Sequence, residues 1–585
     1  MIKVRTSVGE ETLSLAEFEE RVTDGLVAPD TLISFSPVTG DQWARADSLE
    51  LFGALYRPEL VYFRRRFHLG RFPWITASLV ALCALVHLYV SWGLRAAGPA
   101  EVAARLVSAG AKATPLILDL GETWRLLSSH LLHRDLLHLV FNCFVLFNVG
   151  GALENAYRRA DYLLLIVVSA LGAAALSLWG TPLPSYGASG IVFGCLGAVV
   201  VFGLRFSDAL PPQYRGFFGL SAAPYVLIFL WMGWMGQGVD NWSHLGGLLA
   251  GGAVAAGLRP RRLDPGYRRW VEWARGGAAL ALVAVVALWG PLGGAGLGAQ
   301  QRREIGAEGL SIPVPQSWAF ERRGFGEGYG NGLPAPTFFR LVVEEAPTDA
   351  PPPRPEVSAA QWFEQEIMQG EHLGQIFGVR RSAFQPGERA GCPAFDATAA
   401  FEVAGLDRAY QARMLILQRG RLSYLLFFAA PAERYEAYHP VFERMISGLR
   451  LDAPESLLRA RRLAEAAPGQ ARAQLRLGEA ARRIGAHDEA AQALRAAARL
   501  APGEPRTTLA LARLLLDRSD TASEGLILLD ELTQGARWGA SELRAALSLG
   551  LTAELIEALP LGPDPAVAER LSRLQRALSP HVSPL

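Results

Sequence analysis

Tyr186-Gly187-Ala188-Ser189-Gly190 opens one apolar run of this chain, and Ser243-His244-Leu245-Gly246-Gly247 opens another. A hydroxyl and an imidazole at the starts of two apolar helices are the two groups from which a nucleophile and its base are made. Either motif alone carries little. A Gly-x-Ser-Gly sequence also marks soluble hydrolases, and glycine-rich helix faces serve helix packing. Their meaning depends on what surrounds them.

What surrounds them is a membrane-type pattern. Half of the 585 residues are apolar and mean hydropathy is +0.18, high for a soluble chain of this size. The excess is concentrated in residues 73–292, whereas 293–585 read as ordinary polar protein. Apolar runs fall at 73–93, 131–153, 162–180, 186–204, 217–236, 242–258 and 276–292. A membrane span needs about 20 residues, with about 17 as a lower limit. Seven such runs in succession cannot all be cores of a water-soluble fold. The sequence therefore predicts a polytopic α-helical membrane protein with a six-helix core and a seventh helix at 276–292. The first apolar run begins only after residue 72, so no cleavable signal peptide is expected.

Basic residues orient the spans. Arg64, Arg65, Arg66 and Arg71 precede the first, and Arg158 and Arg159 follow the second. Arg205 and Arg215 join the fourth to the fifth, and Arg259, Arg261, Arg262, Arg268 and Arg269 follow the sixth. All fall on one side if the N-terminus is cytoplasmic. A seventh span then carries 293–585 to the extracytoplasmic side; without it that region stays in the cytoplasm. Spans four and six run in the same direction, so Ser189 and His244 lie at similar depth, as proton transfer between them requires.

Span two adds polar groups. His138 and Asn142 are four residues apart and share a helix face. Buried in lipid, such groups are costly without partners or a wet cavity. Their natural use is to donate hydrogen bonds to an oxyanion formed when Ser189 attacks a carbonyl, with the Ser189 backbone N–H as another donor. His130 and His133 offer structural packing, and three histidines admit a metal site, but only Asp135 stands near to complete one. Gly190, Gly194 and Gly197 occur along span four, and Gly247 and Gly251 form a small-xxx-small pair in span six; such faces let helix backbones come together in lipid.

In these residues the chain resembles the rhomboid intramembrane serine proteases. The carrying motifs are Trp124-Arg125 in the first outer loop, His138-Leu139-Val140-Phe141-Asn142 in helix two, Gly187-Ala188-Ser189-Gly190 opening helix four, and His244 followed by Gly247 and Gly251 in helix six. Gly150-Gly151-Ala152-Leu153-Glu154 resembles the segment carrying the family's buried structural glutamate. The likeness covers about 70–260. It implies a Ser189–His244 dyad with no acidic third member, an oxyanion hole from His138, Asn142 and the Ser189 amide, and sideways substrate entry past helix five under a cap around Trp124-Arg125. Phe193 stands where some members place a tyrosine that stacks on the base. The implied substrates are transmembrane proteins. No cofactor is implied.

The soluble parts are less specific. Residues 1–60 loosely resemble a small GYF-like module, with a simple tether as the alternative. Residues 305–450 read as an α+β domain, similar to PsbP-like sandwiches, with strands at Phe338–Val343 and Leu422–Phe428, a helix at 438–449 and a proline linker at 351–355. Residues 455–580 read as helices; Leu477, Gly478, Ala481, Ala490, Leu494, Ala497 and Pro502 fit a 34-residue tetratricopeptide repeat, which would offer a protein or peptide partner a concave surface. The four cysteines Cys83, Cys143, Cys195 and Cys392 have no metal-ligand spacing, and the net charge of +1 gives no signal for nucleic acid.

Two functions compete: an endopeptidase of the bacterial inner membrane, or a catalytically inactive rhomboid-like scaffold that binds clients. An anchor has no need of a serine and a histidine at matched depth, so the residues favour the enzyme. Sparse charge along the spans and no inverted repeat argue against a transporter.

Overall fold

Side-chain caps set where two of the central helices begin, at Asp135 and at Asp240. The computed structural model describes residues 1–585 except 7–8, 41, 57, 59–60, 62–70, 93–97, 208–209, 211–215, 236–238, 261–267, 291–297, 306–307, 324–325, 347–375, 404–407, 517–520, 522, 526, 529–530 and 532–585. Arg64, Arg65, Arg66, Arg215, Arg261, Arg262, the 351–355 prolines and most of the chain after 516 therefore lie outside the described residues. The chain forms two units, Met1–Leu297 and Gly298–Leu585.

In the first unit, strands β1 (Ile2–Thr6), β2 (Gly9–Leu13), β3 (Leu32–Ser34) and β4 (Ala44–Arg45) form a four-stranded antiparallel sheet in the order β2-β1-β3-β4. Helix α1 (Leu15–Thr23) starts at Ser14, whose hydroxyl accepts from Glu17 N–H while the Glu17 carboxylate accepts from Ser14 N–H. This reciprocal cap satisfies two donors at once. Phe18 and Val22 then meet Ile2, Val4, Ile33 and Phe52 in a small core.

Nine helices of seven residues or more build the rest of this unit's described part. They are α2 (Trp74–Ser91), α3 (Pro99–Ala109), α4 (Thr114–Leu120), α5 (Leu136–Ala156), α6 (Arg159–Gly180), α7 (Ser189–Phe206), α8 (Ala223–Met235), α9 (Asn241–Gly257) and α10 (Arg269–Leu288). Among the described residues five of them, α2, α5, α6, α7 and α10, are long and apolar enough to cross a membrane. Of the other two expected runs, α8 comes out shorter at 13 residues, whereas α9 has the expected 17. The second run starts at Leu136 and not at 131, because His130 and Leu131 lie in a 3-10 turn and the Asp135 carboxylate caps the helix at His138 N–H. The last begins at Arg269, seven residues before the apolar run. Within α5, Leu146–Gly150 widens into a π-helical turn.

α7 is the most buried of the five long helices, and α10 is almost wholly peripheral. Tyr162, Leu165, Ile191, Cys195 and Phe202 centre the apolar core between α5, α6 and α7. α9 lies against α7 closely enough that a Cβ on Gly247 would collide with the Gly190 carbonyl, and one on Gly251 with the Gly194 carbonyl. Small residues are what allow helix backbones to approach this far.

Polar side chains tie the opposite end of the bundle. Arg205, ending α7, donates to the carbonyls of Ala255, Ala256 and Leu258 at the end of α9 at 3.0, 2.6 and 2.9 Å. Arg275 of α10 pairs with Asp161 in the first turn of α6 at 2.7 Å. Asn155 of α5 donates to the Arg71 carbonyl just before α2. The described basic flanks Arg71, Arg158, Arg159, Arg205, Arg268 and Arg269 thus sit at the helix ends remote from Ser189 and His244.

The second unit is an antiparallel sheet with helices. Its strands are β5 (Gln300–Ile305), β6 (Leu310–Pro315), β7 (Ala319–Arg323), β8 (Gly326–Gly330), β9 (Phe338–Glu345), β10 (Ile376–Arg381), β11 (Gln385–Arg389), β12 (Cys392–Val403), β13 (Arg408–Arg419), β14 (Leu422–Pro431) and β15 (Arg450–Leu451). The large sheet runs β10-β12-β13-β14-β9-β8-β7, with β11 also on β12; β15, β6 and β5 form a smaller one. Helix α11 (Ala432–Ser447) lays Phe442 against Phe428, which stacks on Phe339. It starts six residues earlier than the hydropathy pattern predicts and carries Pro440 internally. Helices α12 (Glu455–Ala466), α13 (Ala471–Arg483), α14 (His487–Leu500) and α15 (Pro505–Leu516) follow. Gly478 of α13 packs directly beneath Leu494 of α14.

Candidate active site

The chain enters α7 through a turn that only glycine accommodates. Gly187 has φ +133°, and a Cβ there would lie 2.9 Å from His138 Cε1, 3.0 Å from its Nε2 and 3.7 Å from Ser189 Oγ. The turn therefore has the His138 ring and the Ser189 hydroxyl as its neighbours, and both line the same cavity. Ser189 is the first residue of α7. Its N–H is one of the donors that a helix N-terminus leaves without an intrahelical acceptor.

His244 Nε2 lies 2.9 Å from Ser189 Oγ. The Phe193 ring stacks on the imidazole at 4.3 Å between centroids and 12° between planes. His244 is 8% exposed. The histidine ring is thus clamped on one face and aimed by one edge. Asn142 donates from Nδ2 to the His138 carbonyl at 2.9 Å, leaving the second amide N–H for another acceptor.

These groups line one cavity of about 480 Å³, which also takes in Lys112, Asp135, Phe141, Ser177 and Asp240. Asp240 has a role that the sequence reading missed. Its carboxylate caps α9 by accepting from Ser243 N–H at 3.0 Å, its carbonyl accepts from His244 N–H at 3.3 Å, and it also binds the Ser177 hydroxyl. The available signal was an Asp three residues before Ser243 at the head of an apolar run, which is an N-cap pattern. Lys112 was missed as well. Only 1% exposed, it donates to the carbonyls of Thr181 and Leu183 at 2.7 and 3.0 Å. Burial pushes its ammonium pKa down to about 8, and the nearby Asp240 charge opposes that shift. No local pattern joins residues some 70 positions apart.

The remaining motif residues hold the frame. Arg125 is 2% exposed; its Nη1 donates to the carbonyls of Val107 and Ala111 at 2.6 and 3.0 Å, its Nε pairs with Glu122, and its guanidinium lies over the Trp124 ring at 4.6 Å. Glu154 accepts from Ile75 N–H at 3.0 Å and from Thr76 N–H and Oγ1 at 2.9 and 2.8 Å. A carboxylate on those first free N–H groups fixes the start of α2 against the end of α5. A Cβ on Gly190 would press on Ala173 and on His130. His130 itself sits between the Gly187 and Ala170 carbonyls, 3.2 and 2.9 Å from its two ring nitrogens. Among the described residues no three His, Cys, Asp or Glu side chains come together as a metal site would need.

Comparison with known proteins places the same segment. Residues 120–261 match the family model for the Rhomboid domain. Over 153 residues the chain is 37% identical to rhomboid protease GluP of Bacillus subtilis, covering 26% of this chain and 29% of that protein. It is 29% identical to rhomboid protease AarA of Providencia stuartii over 221 residues, 34% of this chain and 76% of that one. It is 30% identical to rhomboid protease GlpG of Pectobacterium atrosepticum over 133 residues, 22% and 46% of the two chains. The match thus spans less than a third of GluP and under half of GlpG. These findings support the rhomboid family for the membrane core and, with the five apolar helices, an integral membrane protein. The solution structure of cyanobacterial PsbP (CyanoP) from Synechocystis is also similar, at 12% identity over 27% of this chain and 96% of that one, with a TM-score of 0.22.

Proposed function

We propose that the chain is a rhomboid-type serine endopeptidase that cleaves membrane proteins in or near their transmembrane segments. The observation that carries this reading is the 2.9 Å approach of Ser189 Oγ and His244 Nε2 inside a cavity walled by apolar helices. Relatives named as rhomboid proteases add to it.

The residues divide the reaction among them. His244 Nε2 takes the Ser189 proton as Oγ attacks the scissile carbonyl, and then gives that proton to the leaving amine. Phe193 holds the ring in the plane that keeps Nε2 on Oγ. Negative charge develops on the carbonyl oxygen, where His138, the free Asn142 N–H and the Ser189 N–H are the proposed donors. Water then hydrolyses the acyl-enzyme, with His244 acting again as base. Asp240 acts through position: it fixes the first turn of α9 and so the root of His244.

The soluble parts are assigned more coarsely. We infer that the N-terminus is cytoplasmic in a bacterial inner membrane, and that α10 carries the second unit to the far side. The α13–α14 pair, with Gly478 beneath Leu494, supports a tetratricopeptide-like protein-binding surface.

The test is cleavage of a panel of single-span substrates by purified protein in liposomes. The wild type is expected to cut at least one, and Ser189→Ala and His244→Ala to lose at least 10³-fold in kcat, as removal of a member of a serine–histidine pair does. Equal cleavage by Ser189→Ala rejects the nucleophile.

A further inference from the structure

The His244 ring faces a charge that its own bonds do not offset. When Nε2 takes the Ser189 proton, the imidazole becomes a cation. The residue is 8% exposed and its ring is stacked on Phe193, so water does not surround that charge. In the tautomer whose Nε2 accepts a proton, Nδ1 carries the other hydrogen. Nδ1 is buried and has no hydrogen-bond partner among the described residues. A buried cation is costly unless a counter-charge stands near it.

The lining of the cavity narrows the choice of counter-charge. Among the described residues α6, α7 and α8 give it no charged side chain. His138 comes from α5, Arg134 and Asp135 from the turn before it, Lys112 from the loop between α3 and α4, and Asp240 from the head of α9. Asp135 is taken: it pairs with Arg134 at 2.9 Å and caps α5, with the Tyr186 phenol in the field of that pair. His130 is held between two carbonyls, and His138 is a second imidazole that repels a charged one. Asp240 remains. It precedes His244 by one helical turn, and its carboxylate acts electrostatically on both the His244 ring and the Lys112 ammonium. One of its oxygens accepts from Ser243 N–H at 3.0 Å and the other from the Ser177 hydroxyl, so bonds from two helices fix where the charge stands.

We propose that Asp240 is the counter-charge to the His244 imidazolium, acting through space and without the direct hydrogen bond that a third member of a triad makes. This rests on the proteolytic reading of the cavity. No proton reaches Asp240. The proton from Ser189 Oγ stays on His244 Nε2 while the bond from Oγ to the carbonyl carbon forms, and it leaves with the amine when the peptide C–N bond breaks. The carboxylate lowers the cost of the charged ring throughout. Lys112 acts against it, so the two side chains set the charge balance of the ring from opposite signs.

The experiment reads the ring itself, so it does not depend on cleavage. Full-length Ser189→Ala protein with isotope-labelled histidine is titrated in liposomes by nitrogen NMR, the His244 signals being assigned by their loss in His244→Gln. Asp240→Asn, which keeps the cap, is expected to move the titration midpoint of His244 about one pH unit lower. Lys112→Met removes the opposing charge and is expected to move it higher. A helix that had merely loosened would shift the ring the same way in both variants. With Ser189 in place, the acid limb of kcat/KM is expected to follow these shifts. An unchanged midpoint in Asp240→Asn, or shifts of one sign in both variants, overturns the proposal. If the midpoints part in opposite directions while the wild type cuts no client, the protease reading fails and the counter-charge stands. If the wild type cuts and the midpoint stays where it was, the counter-charge alone falls.

Discussion

Asp240 joins two jobs in its side chain, the cap on Ser243 N–H and the bond to the Ser177 hydroxyl, and two substitutions separate the cap from the charge. Asparagine caps a helix as well as aspartate does, whereas alanine does not. Asp240→Ala is therefore expected to lower stability by about 1 kcal/mol through loss of the Ser243 N–H bond, with a further loss in kcat as the first turn of α9 loosens. Asp240→Asn keeps the cap and isolates the charge. Thermal unfolding in detergent together with kcat decides the matter: if the two variants unfold alike, the cap is not what holds His244. Lys112 supplies a pH test at the same scale. Its folded pKa of about 8 lies below the ordinary 10.5. Between those values the unfolded chain binds more protons than the folded one, so stability from this group rises as pH climbs through that window and falls as pH drops through 8. At about 1.4 kcal/mol per unit the full swing is up to about 3 kcal/mol. Lys112→Met is expected to flatten the stability curve between pH 8 and 10; an unchanged slope assigns it to other groups.

At the scale of elements, the contact between α7 and α9 sets the distance from Ser189 to His244. Gly247 and Gly251 touch the carbonyls of Gly190 and Gly194, while Gly252 on the same helix has its nearest neighbour 3.7 Å from a hypothetical Cβ. Gly247→Ala and Gly251→Ala are expected to cost 1–3 kcal/mol each by overpacking, and to lower kcat because the helices must part. Gly252→Ala is expected to retain the wild-type melting temperature and rate. Equal tolerance at all three positions would show that α9 does not seat its backbone on α7. Much of this element was legible beforehand, since the apolar runs, the paired glycines and the motif serine and histidine are all local patterns. The Asp135 cap moves the start of α5 five residues past the start of the apolar run at 131. The π-helical turn has no sequence marker. Nor has the link from Lys112 to Thr181 and Leu183, because it depends on how loops meet.

Across the first unit, the described basic flanks of the spans collect at one end, while Lys112 and Arg134 line the cavity at the other. Arg205 on the last carbonyls of α9, Arg275 on Asp161 and the Arg71 carbonyl on Asn155 gather the basic flanks of α2, α5, α6, α7, α9 and α10 away from the Ser189 end. Basic flanks stay on the cytoplasmic side of a membrane. On the proposed topology, that ordering puts the catalytic hollow near the extracytoplasmic surface, where water for deacylation is at hand. It also predicts the side of the chain after α10, which has Arg268 and Arg269 at its start and whose twenty residues reach about 30 Å. A reporter that is active only outside the cytoplasm, fused after residue 300, is expected to be active, and one fused after residue 260 inactive. The contrast matters because α10 is the least buried of the long helices, held to α6 by the Arg275–Asp161 pair and to the first loop by Thr123, whose hydroxyl donates to the Val286 carbonyl at 2.7 Å. Reporter activity after 260 but not after 300 would invert the bundle and place Ser189 at the cytoplasmic face, taking the substrate-entry argument with it.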